Sequence, residues 1–217
     1  MRKENRTYYF SVEGETEQWY LEWLQRMINA DITAKYTVKL DSKIQKDPLA
    51  RAKRLTIVDR TEITHIFDYE SEEPIHAQQF KTTLDRMKQA QNSGKNIKYR
   101  LEYSNFTFEL WIILHKADCN GMLTHRRQYL TPLNRAYGQH FESLDQYKRE
   151  DNFKRLLDQL TLDHVREAIQ RSKAIMQRNQ ETGYILHQYK GYKYYKENPS
   201  LSIWESIKKI LRDCELL

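Results

Sequence analysis

Cysteine is nearly absent from this 217-residue chain: Cys119 and Cys214 stand far apart, with no CxxC and no Cys/His ligand spacing. That excludes a disulfide framework and a structural zinc site, and it points to a reducing setting. Glycine and proline are scarce as well, at 6 and 4 residues, too few for long flexible linkers. No run approaches the roughly eighteen apolar residues of a membrane span, and MRKENRTYYF lacks the apolar core of a secretory leader. A soluble, cytoplasmic protein with no membrane partner is expected. Internal repeats, low-complexity tracts, a P-loop, GxGxxG, GxSxG and HExxH are also missing, so an ATPase, a Rossmann dehydrogenase, a serine hydrolase and a zinc protease are not supported.

What is plentiful is positive charge and tyrosine, with a net charge of +6 and 15 tyrosines. Lysine and arginine that neutralise phosphates release counterions, so a basic balance favours a polyanionic partner wherever the charge surrounds a site. The length suits one compact unit with two parts.

Hydrophobic periodicity orders those parts. Tyr8 to Val12 reads as a strand, Gly14 as a turn, and Trp19, Trp23 and Met27, joined by Tyr20, Leu24 and Ile28, as one helix face. Lys35 to Leu40 alternates as a second strand, and Pro48 opens a helix predicted over Leu49 to Asp59. A third strand is predicted at Ile63 to Asp68, a helix at Ala77 to Gln91 and a fourth strand at Ile97 to Tyr103. Strands alternating with helices at this spacing predict an α/β fold with a mostly parallel four-stranded sheet flanked by helices. From Asp118 onward the pattern turns helical, over Leu123 to Arg135, Asn152 to Leu160 and Asp163 to Arg178, which predicts a C-terminal helical lobe. The division is therefore 1–117 for the sheet domain and 118–217 for the lobe packed on it.

Ligands of open α/β sheets sit beyond the carboxyl ends of the strands. Here those ends carry acid: Glu13 to Glu17 after the first strand, Asp68 to Glu73 after the third, and Glu109 shortly after the fourth. Asp68 and Glu70, two apart on an extended segment, point to one side, and Glu13 can join them from a neighbouring strand. Hard oxygen donors in small number suit Mg²⁺ or Mn²⁺, and a carboxylate cluster needs such a charge or it repels itself.

The segments VEGETE and IFDYE, with SNFTFELWIILHK at Ser104 to Lys116, resemble the RloB family, whose fold is Toprim-like. Tyr147-Lys148, AIQRSKAI at Ala168 to Ile175, and Asn198-Pro-Ser extend the resemblance over nearly the whole chain. It implies a Toprim-like Rossmannoid domain, Mg²⁺-dependent nuclease chemistry, and a bacterial anti-phage role of the AbiLii abortive-infection kind beside an AAA- or ABC-type ATPase. Carried over, Glu13 matches the Toprim glutamate, Asp68 and Glu70 its acidic pair, Glu17 the second glutamate of the VEGxTE variant in OLD-type nucleases, and Glu109 the signature-helix carboxylate. Glu70 stands where the general pattern has aspartate, and Phe106 where the family usually has proline.

A metal-dependent nuclease, acting on RNA such as tRNA or on DNA, is the first reading; a non-catalytic adaptor with the same fold is the second. Either Glu13 or Glu17 can act as base or ligand, and Lys148, Arg171 and Lys173 are candidate cations for the departing phosphate. Glu15 is read as a helix-dipole partner, Glu72 and Glu73 as a solvated loop, and His115 as a packed residue beside Trp111. In YILHQYKGYKYYK, Lys190, Lys193 and Lys196 interleave with tyrosines. That pattern fits a single-stranded nucleic-acid surface, or tyrosines packing the lobe, or a partner interface, a homodimer among them.

Overall fold

A computed structural model describes residues 3–57 and 59–217. Strand β1 (Asn5–Val12) runs through Gly14 into α1 (Glu15–Ala30), which returns the chain to β2 (Thr37–Ile44). Helix α2 (Pro48–Arg54) leads to β3 (Thr61–Tyr69), and α3 (Pro74–Gln91) to β4 (Ile97–Asn105). The four strands are parallel in the order β2-β1-β3-β4. The chain steps from β1 outward to β2 and then crosses to β3 on the other side of β1, so the strand order reverses between β1 and β3. That reversal opens a crevice at the carboxyl ends of these two strands.

The pleat sorts the strand residues onto two cores. Phe10, Val12 and Ile66 pack with Tyr20, Leu21, Trp23, Leu24 and Ile28 of α1, whereas Ile63, Phe67 and Tyr69 pack with Phe80, Leu84 and Met87 of α3. The first core continues into the second half of the chain. There lie α4 (Glu109–Leu114), a 3₁₀ turn (Arg126–Tyr129), α5 (Leu130–Tyr137), α6 (Leu144–Tyr147), α7 (Glu150–Leu157), α8 (Leu162–Glu181) and α9 (Trp204–Asp213). Trp111 and Ile112 to Leu114 are fully buried within it, each such side chain being worth about 2 kcal/mol of removed apolar surface.

Several boundaries depart from the sequence expectation. Helix α2 ends at Arg54, short of Asp59, because Lys95 reaches across to the carbonyls of Ala52, Lys53 and Leu55 at 2.9, 3.0 and 2.7 Å and closes its last turn; Val58, inside the expected helix, lies outside the described residues. Strand β2 starts at Thr37 and continues past Leu40 to Ile44, since β1 offers a partner for every residue. Helix α3 starts at Pro74, three residues before Ala77, with proline at its first position. The helix expected over Leu123 to Arg135 is the 3₁₀ turn and α5, and that over Asn152 to Leu160 is α7, whose acidic first turn begins at Glu150.

Tyr184 to Lys196 holds an antiparallel hairpin, β5 (His187–Tyr189) and β6 (Tyr192–Tyr194), joined by Lys190 and Gly191 at φ of 52° and 90°. Positive φ at both positions is the geometry of a tight hairpin, which glycine meets freely and lysine does not. Beyond it, Leu201 bridges antiparallel to Ser104, with Asn105 N donating to Ser200 O at 2.9 Å and Ser202 N to Tyr103 O at 2.8 Å. The outer edge of β4 is thereby covered at Tyr103 to Asn105. No described helix is long and apolar enough to cross a membrane.

Candidate functional site

The crevice between β1 and β3 gathers four carboxylates from four elements. Glu13 follows β1, and its Oε2 accepts from the Asp68 amide at 3.1 Å. Asp68 is the penultimate residue of β3; its Oδ1 accepts from Ser104 Oγ at 2.8 Å and its Oδ2 from the Phe108 amide at 3.2 Å. Glu17 is buried in the first turn of α1 with Thr16 Oγ1 donating to it at 3.2 Å. It folds back beneath Gly14 so closely that a Cβ there would lie 3.1 Å from Glu17 Oε2. Glu109, wholly buried at the start of α4, takes a short hydrogen bond from Thr107 Oγ1 and an ion pair from Lys148 Nζ at 3.2 Å.

Electrostatics couples these groups. Burial, then the charges of Glu17 and Glu70, push Glu13 up to about 7, against the amide of Asp68 and Lys46, which favour its ionised form. Asp68 is held well above the ordinary carboxylate range by burial and by the charges of Glu17, Glu13 and Glu109. Glu17 is raised by burial and by Glu109, with Lys148 opposing. Burial alone would lower the Lys148 ammonium, but Glu109, Asp68 and Glu17 outweigh it and hold it above its usual value. One lysine thus faces several acids, and the set is short of positive charge.

Among the described residues, no three His, Cys, Asp or Glu side chains stand together as a formed metal-binding group. The donor chemistry nevertheless fits a hard divalent cation: Glu13 and Asp68 are oxygen donors whose ionised forms are disfavoured by burial and by each other, the penalty such an ion relieves. Glu70, expected from the sequence to share one ion with Asp68, lies near enough for its charge to raise Glu13 and also meets a histidine. Its Oε2 faces His76 Nε2 at 3.3 Å, and His76 is in turn bonded to Ser71 at 2.7 Å. Glu15 is exposed, in keeping with a helix-dipole role.

The candidate cations separate. Lys148 belongs to the carboxylate group. Arg171 is held by the Leu114 carbonyl at 2.7 Å, by Glu167 at 2.9 Å and by Asp118 at 3.5 Å. Lys173 and Lys193 line a groove with Met176, Tyr195 and Trp204, and Lys190 pairs with Asp85 at 3.7 Å. Lys196 lines a cavity next to the crevice, bounded also by Tyr69 and Asn105. Tyr192, Tyr194 and Tyr195 are buried, and Tyr194 packs against Phe80, Tyr69 and Tyr103, so packing accounts for the rings of β6.

His115 is buried, its Nδ1 donating to the Trp111 carbonyl at 2.9 Å and its Nε2 facing Tyr20 Oη at 3.1 Å. Burial lowers it to about 3, a neutral, packed ring, as the sequence suggested. Two residues went unread in the sequence: Arg126 and Arg127 line a cleft of ≈ 240 Å³ together with Lys148, Glu142 and Asp145. Their side-by-side charge was visible, but only the fold sets it against Lys148.

The family model described as RloB-like protein matches residues 8–210, a span that contains all four carboxylates. The chain belongs to the RloB-like family. Comparison with curated proteins and with solved structures returned no match. Within the RloB-like span, the Ser104 to Lys116 signature supplies both the hydrogen-bond donors that hold Asp68 and the start of the helix that carries Glu109.

Proposed function

We propose that this RloB-like protein is a metal-dependent nuclease that hydrolyses phosphodiester bonds, with Glu13 and Asp68 holding Mg²⁺ or Mn²⁺ and Glu17 and Glu109 completing the acidic wall. The observation that carries this reading is the convergence of the four carboxylates at the sheet's strand-order reversal, with Lys148 as their ion-paired cation. The bound ion would polarise a phosphoryl oxygen and supply a water of lowered pKa. Ser104 and the Phe108 amide fix Asp68, whose own amide holds Glu13, so both carboxylates are presented together to the ion. Lys148 with Arg126 and Arg127 offers positive charge to the strand's phosphates. The family resemblance further supports a defence role of the abortive-infection kind with an ATPase partner.

A non-catalytic adaptor is the second reading, and the turning of Glu70 toward His76 favours it. The test is incubation of the purified protein with labelled RNA, tRNA and DNA in Mg²⁺ or Mn²⁺. Wild type cleaves at least one of them, and Glu13→Gln and Asp68→Asn each lose at least about a hundredfold in rate with unchanged melting. Cleavage equal in wild type and both variants, or none in either metal, leaves the adaptor.

A further inference from the structure

Where α8, α9 and the hairpin meet β4, two grooves of ≈ 450 and ≈ 320 Å³ adjoin, and Trp204 and Glu205 line both. Neither Lys148 nor any of the four carboxylates lines them. Together they carry six cations, Arg100, Lys173, Lys193, Lys208, Lys209 and Arg212, against two acids, Glu205 and Asp213. Both acids are engaged, Glu205 with Arg100 at 3.1 Å and Asp213 with Lys209 at 2.8 Å. Lys173, Lys193, Lys208 and Arg212 are left unmatched within the grooves.

The crowding follows from the elements. Trp204, Lys208 and Arg212 recur every four residues and so share one face of α9, while Ser206, Ile207, Ile210 and Leu211 are buried. Lys208 Nζ stands 5.5 Å from the centre of the Trp204 ring. Helix α8 brings Lys173 up to the same place, and Lys208 is held below its usual value by burial, then by the charges of Lys173 and Arg212, with Glu205 opposing. Like charges this close cost free energy, and an anion between them removes that cost. The surface among the cations is apolar and aromatic, with Met176, Leu186 and Tyr195 beside Trp204. Leu186 and its neighbour Ile185 are 46% and 65% exposed, so apolar surface stands open at the rim.

A duplex would meet the cations with its phosphates but keeps its base faces stacked inward, leaving the apolar surface bare. An unpaired strand offers both phosphates and open base faces. We propose that the joined grooves bind a single-stranded segment of nucleic acid, with Lys173, Lys193, Lys208 and Arg212 holding its phosphates and its bases lying over Trp204, Met176 and Leu186. Phosphate and base face are common to RNA and DNA, so the chemistry admits either sugar. The grooves are an anchor apart from the crevice: they capture a strand without metal, and the carboxylates then act on a strand already held. The inference rests on the nuclease reading for that last step only.

The experiment is fluorescence anisotropy of the full chain, free of divalent metal, over a series of salt concentrations, with labelled single-stranded RNA and DNA of about twelve nucleotides and their duplexes. At least one single strand binds about tenfold tighter than its duplex. Lys173→Gln/Lys208→Gln/Arg212→Gln weakens that binding at least about tenfold and flattens the slope of log K against log salt by about 2, as the loss of three phosphate contacts requires. The triple variant melts no lower than wild type, because the crowding is relieved. Should it misfold, Lys193→Gln/Arg212→Gln, at two exposed positions, decides instead, with a slope flattened by about 1.4. Affinity and slope unchanged in the variants, or a duplex bound as tightly as its strand, overturn the proposal. So does binding of phosphatidylserine vesicles or polyglutamate with no strand bound. Strand capture without cleavage sinks the nuclease reading alone; cleavage by wild type with strand binding untouched in the groove variants sinks this one alone.

Discussion

Lys148 carries more electrostatic weight than any other cation near the crevice, since its partner Glu109 is wholly buried and Asp68 and Glu17 add to the negative field. Removing one partner of a buried pair strands the other charge, a loss on the order of 3 kcal/mol, reduced to about 2 here because the Lys148 side chain is 38% exposed and partly screened. Lys148→Met should therefore lower the unfolding free energy by about that amount in urea titrations, with Lys148→Met/Glu109→Gln recovering most of it; a double variant as unstable as the single would assign the loss to packing. At this scale Glu13 and Asp68 were readable from the sequence because position after a strand dictates where a side chain goes. Glu17 was ambiguous, since a first-turn acid is ordinary, and only the close approach at Gly14 shows it turned inward. The contact of Glu70 with His76 was not readable, because His76 sits in the next helix.

Among the elements, the four sheet strands, α1, α3 and α8 were legible, for they repeat apolar residues over many positions. Helix α9 and the two hairpin strands were not. Helix α9 needs only Ser206, Ile207, Ile210 and Leu211 to bury a face, and β5 and β6 are three residues each, too brief for any period to declare itself. Their signal was the turn, Lys190-Gly191, where lysine sits at φ 52°. Asparagine tolerates that region better, so Lys190→Asn should raise stability by roughly 0.5 to 1 kcal/mol, net of the weak exposed contacts with Asp85 and the Tyr189 ring. Thermal melting checks this, and a lower melting temperature would show the Asp85 contact to be worth more than its geometry suggests.

For the molecule as a whole, two classes of buried titratable group set acid stability with opposite signs. His65 and His115 are both pushed by burial down to about 3, so they stay neutral in the fold while the unfolded chain protonates near 6.5. Stability from each is complete above 6.5 and is lost as pH falls, by about 2 kcal/mol at pH 5. Glu102, buried and bonded to the Ser206 amide and hydroxyl at 2.7 and 2.5 Å, is raised well above its usual value by burial, so its contribution grows as pH falls toward the ordinary carboxylate range. Net stability can look flat, and the informative quantity is a difference. The deficit of His115→Gln relative to wild type should shrink by about 2 kcal/mol between pH 7 and 5 in urea titrations, whereas a constant deficit would mean that the folded ring already carries a proton. The antiparallel stitch of Ser200 to Ser202 along β4 bears on solubility. An uncovered outer strand is an invitation to any extended peptide, and this one lies beside an aromatic-rich core. The segment just before α9 therefore works as a hem at one corner of the fabric: it occupies the last three residues of β4, where that edge runs out beside the crevice, and denies them to an incoming strand.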